Sequence, residues 1–152
     1  MNQNEYNPKS YGNLPLEVGA EKHIQRILVA EDDNEMRRLL VHAIFESGYE
    51  VIQCHDGIEF FKHLESFILN KASLDFDLII SDILMPGLTG LEIFEDLHDY
   101  KGFPPMILIT AFGDDNIHQK AKRLGAAGLF DKPFEIDDLL EKIHEILPPV
   151  SK

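Results

Sequence analysis

Short apolar segments that end in reactive polar residues constrain the fold of this chain more than any other feature. Four such segments, 27–30, 77–81, 106–109 and 129–130, lead into Glu31-Asp32-Asp33, Asp82, Thr110 and Lys132-Pro133. Open parallel α/β sheets build their sites at the carboxyl ends of their strands. The pattern therefore predicts a parallel sheet with acids, a hydroxyl and a lysine gathered along one edge.

Asp82 is the most informative of these residues. It ends the apolar run Leu78-Ile79-Ile80-Ser81 and precedes the turn Met85-Pro86-Gly87. A carboxylate at the end of a buried strand is unfavourable unless it has a partner. We therefore expect Asp82 to carry chemistry rather than to be an ordinary turn residue.

Composition limits the classes of function. The 152 residues are 44% hydrophobic with ten Phe, which suits one folded domain with a proper core. The net charge of −13 disfavours direct binding to nucleic acid or to an anionic membrane. No stretch approaches the roughly 18 apolar residues of a membrane span, so we expect a cytoplasmic protein. Cys54 is expected to be a small buried residue rather than a reactive thiol.

The apolar pattern divides the chain into three parts. Residues 1–24 lack periodicity and are expected to form a flexible extension, residues 25–147 alternate strand and helix patterns, and residues 148–152 form a short tail. The predicted helices are 34–47, 57–70, a third that begins after the N-cap Thr89, 115–124 and 135–147. The inner stripes of the first two helices are predicted to include Leu39, Leu40, Phe60 and Phe61. The stripe of the fourth is thin, which makes it the helix most ready to shift.

The acids at the strand ends indicate a cation site. If the first and third strands are neighbours, Asp32 and Asp82 face one crevice, with Glu31 or Asp33 beside them. Crowded carboxylates hold a proton or recruit a hard cation, and this oxygen-only set favours Mg²⁺ or Mn²⁺ over zinc. A carboxylate nucleophile, a divalent cation, Thr110 and Lys132 are together what phosphoryl transfer requires. The sequence therefore predicts an aspartyl phosphate.

Residues 25–147 resemble the receiver domain of two-component response regulators. The matching segments are Ile27-Leu28-Val29-Ala30-Glu31-Asp32-Asp33, Ser81-Asp82-Ile83-Leu84-Met85-Pro86-Gly87, Ile109-Thr110-Ala111 and Lys132-Pro133-Phe134. The resemblance implies a flavodoxin-like, doubly wound α/β fold, with a five-stranded parallel sheet of order 2-1-3-4-5 and five helices. It also implies a cis Lys132-Pro133 bond.

The resemblance assigns a role to each site residue. Asp82 is then the phosphoacceptor, and Mg²⁺ is held by Asp32, Asp82 and the backbone carbonyl of Leu84, with Glu31 acting through water. Thr110 and Lys132 contact the acyl phosphate, and Ala111 leaves room for it. The implied donor is a phosphohistidine on a histidine kinase or phosphotransfer protein. The implied output is binding of a downstream protein at the face of the fourth helix, fifth strand and fifth helix.

The chain departs from the family pattern in two ways. The family has Tyr or Phe three residues before the lysine, as part of a switch with Thr110, whereas this chain has Leu129, followed by Phe130. The positions two after Asp82 and two after Thr110 are Leu84 and Phe112, and neither side chain can orient an attacking water. These residues predict slow self-dephosphorylation.

Several other interpretations remain open from the sequence. The acids at 31–33 also suit the N-terminus of a helix, and the basic residues Lys120, Lys122 and Arg123 are either a solvated face or a partner surface. A Mg²⁺-dependent phosphatase of the haloacid dehalogenase type also uses a strand-end Asp, but that family places a second Asp where Leu84 stands. A receiver that binds partners without being phosphorylated is a third alternative.

Overall fold

The structure is a computed structural model that describes residues 23–70, 73–111 and 113–149. Within these ranges five strands alternate with five helices. The elements are β1 (Arg26–Ala30), α1 (Asn34–Glu46), β2 (Glu50–Cys54), α2 (Gly57–Asn70), β3 (Leu78–Asp82), α3 (Gly90–Leu97), β4 (Met106–Thr110), α4 (Asp115–Leu124), β5 (Gly128–Asp131) and α5 (Ile136–Ile146). The predicted alternation of strands and helices is confirmed.

All strand pairs are parallel, and the sheet order is β2-β1-β3-β4-β5. This is the predicted doubly wound order. The register pairs Ala30 with Cys54 on one side and with Ser81 on the other, and it pairs Asp82 with Ile109. The carboxyl ends of β1, β3 and β4 therefore meet at one edge, where the order of the sheet reverses.

The strands are buried on both faces, as their apolar runs predict. Alternate residues point to opposite sides, so that Ile79 packs beneath α2, α3 and α4, while Ile80 packs beneath α1 and α5. Cys54 is fully buried, as expected. No helix among the described residues is long and apolar enough to span a lipid bilayer.

Capping side chains fix where three helices begin. Asp33 accepts a hydrogen bond from the Met36 backbone N–H at 2.8 Å and caps α1, and Thr89 caps α3, as predicted. Asp114 caps α4, which ends at Gly125 in the left-handed conformation with φ of +87°. The role of Asp33 as a cap separates it from the acids that face the crevice.

Some details of the sequence prediction were wrong. Leu39 and Phe61 do not belong to the inner stripes, because their side chains are 50% and 41% exposed. The buried row of α1 is centred on Leu40 and Ile44, and Leu39 lies about 100° away around the helix. Phe112, residues 1–22 of the predicted extension and residues 150–152 of the predicted tail lie outside the described residues.

Candidate functional site

Asp82 occupies the last position of β3, and its carboxylate is buried. Its two oxygens have different partners. Oδ2 accepts a hydrogen bond from Lys132 Nζ at 2.8 Å, and Oδ1 accepts one from the Leu84 backbone N–H at 3.1 Å. The structure thus brings together Asp82 and Lys132 as the strand-end pattern predicted. Hydrogen bonds of this kind leave the carboxylate oriented and partly shielded from water.

The other two acids of the cluster come from the end of β1. One oxygen from each of Glu31, Asp32 and Asp82 lies within 4.8 Å of the others. Glu31 is only 1% exposed, whereas Asp32 is open to solvent. The cluster therefore has a buried side, formed by Glu31 and Asp82, and an open side at Asp32 through which an ion or a substrate can approach.

Glu31 shares the ammonium of Lys132 with Asp82. Lys132 Nζ lies 2.5 Å from Glu31 Oε1, so this buried carboxylate forms an ion pair with the shared ammonium. Burial raises the pKa of the Glu31 carboxyl to about 7, with Lys132 opposing the rise and Asp82 adding to it. Burial alone would lower the pKa of Lys132, but its contacts with Asp82 and Glu31 raise it above the ordinary value.

The cluster fits a hard divalent cation. Its possible ligand atoms are all carboxylate oxygens, and the single ammonium of Lys132 cannot neutralise three acids. Mg²⁺ and Mn²⁺ prefer few carboxylate ligands and keep several waters, which agrees with the open side at Asp32. Leu84 lies two residues after Asp82 in the chain. That its backbone carbonyl binds the cation stays a prediction.

Thr110 ends β4 and is fully buried. Its carbonyl accepts a hydrogen bond from the Lys132 backbone N–H at 2.8 Å, which ties the end of β4 to the segment that carries the lysine. The Lys132-Pro133 peptide bond is cis, as expected. Ala111, the next residue after Thr110, is exposed, and its role in leaving room for a phosphoryl group stays a prediction.

Leu129 and Phe130 face opposite sides of the sheet. Leu129 packs against the layer beneath α2, α3 and α4, whereas Phe130 packs in the other layer, with its ring 5.6 Å from that of Phe134. By strand alternation Thr110 points to the same side as Leu108 and Leu129. Phe130 therefore cannot replace an aromatic side chain at position 129.

Two backbone contacts hold the loop after Asp82 in place. The Gly90 N–H donates to the Ile83 carbonyl at 3.1 Å, and the Gly57 N–H donates to the Pro86 carbonyl at 3.0 Å. A Cβ atom on Gly90 would lie 2.5 Å from the Asp82 carbonyl oxygen, and one on Gly57 would lie 2.5 Å from the Leu88 nitrogen. Both positions need glycine because the backbones approach so closely.

The sequence interpretation missed two groups beside the site. Arg37 donates from Nη1 to the Glu31 carbonyl at 2.8 Å and from Nε to Gln53 Oε1 at 3.3 Å, which braces the acidic turn against β2. His118 Nε2 lies 2.8 Å from Asp131 Oδ1 and joins α4 to β5. Arg37 lies near the start of α1, five residues after Asp32. This short spacing was the feature of the sequence that could have indicated its position near the acidic turn. Nothing in the local sequence indicated the pairing of His118 with Asp131.

Comparison with known proteins gives a consistent result. The family model for the response regulator receiver domain matches residues 27–144. The response regulator receiver protein CpdR of Brucella abortus is 31% identical, over 82% of this chain and 98% of its own length. Sporulation initiation phosphotransferase F of Bacillus subtilis is 30% identical, over 82% of this chain and 94% of its own length.

The chain also matches part of a longer protein. It is 34% identical to the CAI-1 autoinducer sensor kinase/phosphatase CqsS of Vibrio cholerae over 86% of this chain, but it spans only 18% of that protein. Among solved structures, the chemotaxis protein CheY4 of Vibrio cholerae superimposes with a TM-score of 0.66 at 30% identity, covering 82% of this chain and 99% of CheY4.

Proposed function

The chain belongs to the response regulator receiver family, and from that membership we propose that Asp82 accepts a phosphoryl group from a phosphohistidine on a histidine kinase or phosphotransfer protein. The observation that carries the proposal is the buried Asp82 carboxylate, held between the Lys132 ammonium and the Leu84 N–H and faced by two more acids. In this proposal the chain acts as a stand-alone phosphoacceptor in signalling and not as an enzyme that turns over a separate substrate.

The proposed step moves one phosphoryl group. A bond forms between an Asp82 carboxylate oxygen and phosphorus, and the bond between phosphorus and the donor imidazole nitrogen breaks. The nitrogen leaves with the electron pair and takes up a proton. Lys132, which already contacts Asp82 Oδ2, is placed to stay beside the incoming oxygens and to neutralise their charge.

We assign a Mg²⁺ ion, or Mn²⁺ in its place, to Asp32, Asp82 and the Leu84 carbonyl, with Glu31 acting through water. When bound, such an ion neutralises negative charge on the phosphoryl oxygens. The fit of the oxygen donors supports this assignment. We assign Thr110 the role of contacting a phosphoryl oxygen. We assign Ala111 the role of leaving room for the phosphoryl group to enter.

In this proposal, the effect of phosphorylation is transmitted from Thr110 to α4. A Cβ atom on Gly113 would lie 2.8 Å from Thr110 Cγ2 and 2.5 Å from His118 Nε2, so the loop after β4 fills the space between them. His118 also contacts Asp131, and a cleft of about 280 Å³ beside Leu129 separates α4 from β5. Movement of Thr110 toward the phosphoryl group would pull the loop after β4 with it and bias α4, β5 and α5 toward a downstream protein.

The phosphorylated state is proposed to be long-lived. Leu84 is 48% exposed two residues after Asp82 and has no group that can orient water. Phe112 is assigned the same effect from the sequence. We place the protein in the cytoplasm, where ATP supplies histidine kinases, and its charge of −13 argues against direct binding to nucleic acid or membrane.

The test is intact-mass measurement after incubation with acetyl phosphate and Mg²⁺. One added phosphate is expected, absent with excess EDTA and absent in Asp82→Asn. Asp75→Asn, at a carboxylate that is 92% exposed and distant from the site, is the matched control and should be phosphorylated normally. Phosphate that persists in Asp82→Asn would overturn the proposal.

The same preparation distinguishes the two alternatives. A haloacid dehalogenase type of phosphatase would turn over small phosphomonoesters, and we expect no turnover because Leu84 stands where its second Asp would be. A phosphorylation-independent binding module would show the same partner proteins on pull-down with wild type, phosphorylated wild type and Asp82→Asn. We expect the phosphorylated form to differ from the other two.

A further inference from the structure

A groove between α2 and α3 lies away from the acid cluster and is lined almost entirely by apolar side chains. We call it the α2–α3 groove. Its volume is about 280 Å³, and a second cavity of about 80 Å³ shares three of its residues and extends it. Its main lining residues are Phe61, Leu64 and Ile68 on one side and Ile93, Leu97 and Tyr100 on the other.

The two rows have the spacing of helix faces. On α2 the apolar residues stand at i, i+3 and i+7, and on α3 and the turn after it they stand at i, i+4 and i+7. Phe61 and Tyr100 expose 41% and 47% of their surface at its mouth. Leu64 and Ile93 are buried and form the floor of the groove, so the more exposed Phe61 and Tyr100 present most of its apolar surface. A third helix can pack into such a trough between two helices.

An acidic edge runs beside the groove. Glu92, Asp96 and Asp99 repeat at i, i+4 and i+7 on the α3 side, and all three are exposed. None of the described Lys or Arg side chains pairs with Glu92 or Asp96, whereas Glu95, which points away from the groove, contacts Lys120 of α4 at 2.8 Å. We call Glu92, Asp96 and Asp99 the acidic rim. Asp99 lies 3.1 Å from His98 Nε2, whereas the charges of Glu92 and Asp96 face no described lysine or arginine and specify the sign of charge that an occupant must carry.

We propose that the α2–α3 groove binds an amphipathic helix of a partner protein whose apolar stripe is flanked by Lys or Arg. The apolar rows receive the stripe, and the acidic rim faces the basic flank. A second copy of this chain fits less well, because it would bring the same acidic rim and a net charge of −13. The groove shares no residue with the Asp82 cluster, so the proposal stands independently of phosphorylation.

The test uses the full chain and a fluorescently labelled synthetic helix of about 18 residues, or five turns, with leucines on one face and lysines along its flanks. Binding is followed by anisotropy at physiological salt. Phe61→Ser and Asp96→Lys should each weaken binding about tenfold, which corresponds to about 1.4 kcal/mol. Phe45→Ser is the matched control, because Phe45 is 63% exposed on α1, on the opposite face of the sheet, and should bind normally.

A peptide of the same composition in scrambled order, and a second with glutamates in place of lysines, should both bind at least about tenfold more weakly. Equal binding of the scrambled peptide, or equal loss in Phe45→Ser, would overturn the proposal. Self-association that Phe61→Ser abolishes would replace the partner helix with a second copy. Binding that appears only after removal of residues 1–22 would assign the groove to that segment. Because Asp96 is outside the core, Asp96→Lys keeps the test valid if Phe61→Ser proves unstable by thermal unfolding.

Discussion

Lys132 Nζ lies 2.8 Å from Asp82 Oδ2, although β3 carries the aspartate and the lysine follows β5. The same ammonium lies 2.5 Å from Glu31 Oε1, so a single cation stands between two buried carboxylates. With Asp32 at the open side, the cluster has more negative than positive charge. The site is therefore arranged to bind a further cation, and to bind an anionic group whose charge Lys132 helps to neutralise.

Replacing Lys132 with Gln should slow phosphorylation of Asp82 by acetyl phosphate about 100-fold or more, since loss of one preorganised donor commonly reduces rates by 10²–10³. The rate is measured by the growth of the phosphorylated mass. Lys142→Gln, at an exposed lysine that pairs with Glu145 on α5, should react at the wild-type rate. Equal rates for the two variants would contradict the role of Lys132.

Mg²⁺ should stabilise the folded protein, because the acid cluster exists only in the folded state. At a Mg²⁺ concentration ten times its Kd, the free energy of unfolding should rise by about 1.4 kcal/mol, which corresponds to a rise in Tm of a few degrees. Asp32→Asn should lose most of this rise, and Asp75→Asn should keep it. The measurement is thermal unfolding with Mg²⁺ and with EDTA. A rise that survives in Asp32→Asn would place the ion elsewhere.

Leu84→Asn should shorten the lifetime of phosphorylated Asp82, since an amide beside the acyl phosphate can hold the attacking water. We expect a change of about tenfold, equivalent to about 1.4 kcal/mol or one hydrogen bond. Adding Phe112→Glu should accelerate the loss further. The decay of the phosphorylated mass after removal of the donor gives the rate. Leu69→Asn, at an exposed leucine of α2, is the control, and unchanged decay in Leu84→Asn would refute the prediction.

Gly90→Ala should destabilise the protein by about 1–3 kcal/mol, the usual effect of an added methyl group in a tightly packed place. The new Cβ atom would meet the Asp82 carbonyl oxygen at 2.5 Å, so the backbone that carries the phosphoacceptor would have to shift. Phosphorylation should slow as well. Gly128→Ala is the matched control, because its nearest neighbour is the flexible Lys142 side chain at 3.2 Å. Urea unfolding curves of the two variants make the comparison.

Cys54 should resist alkylation in the native protein. Burial raises the pKa of its thiol to about 12, with the charges of Glu59 and Asp56 contributing. The pKa of the buried thiol is above that of a free thiol, which is near 8.5. The contribution of the neutral thiol to the free energy of unfolding is therefore complete below about pH 8.5 and is lost as the pH rises toward about 12. Iodoacetamide at pH 9 should therefore label urea-unfolded protein rapidly and native protein slowly. Equal rates would show that the thiol is accessible.

Much of the fold follows from local patterns in the sequence. The continuous apolar runs of β1, β3 and β4 predicted a sheet covered on both faces, and Thr89 marked the start of α3 directly. The inner stripes were harder to predict, because Leu39 and Phe61 lie beside their buried rows, and only the packing of each helix on the sheet decides which neighbour turns outward.

The arrangement of the candidate site could be predicted only in part. Strand-end positions indicated that Asp32, Asp82 and Lys132 would meet, because parallel strands place their carboxyl ends together. The sequence could not show that Glu31 would be buried against Lys132, nor that Arg37 would reach the Glu31 carbonyl. These contacts depend on side-chain directions and distances across separate elements, which spacing along the chain does not determine.

The most direct test of the account is to locate the phosphorylated side chain itself. Borohydride reduces an acyl phosphate to an alcohol, so treatment of the protein after reaction with acetyl phosphate and Mg²⁺ should convert the modified aspartate to homoserine, which peptide mass spectrometry locates. The account predicts homoserine at position 82 alone. Homoserine at position 32 or 33, or a stable phosphate on a hydroxyl or histidine side chain, would contradict it.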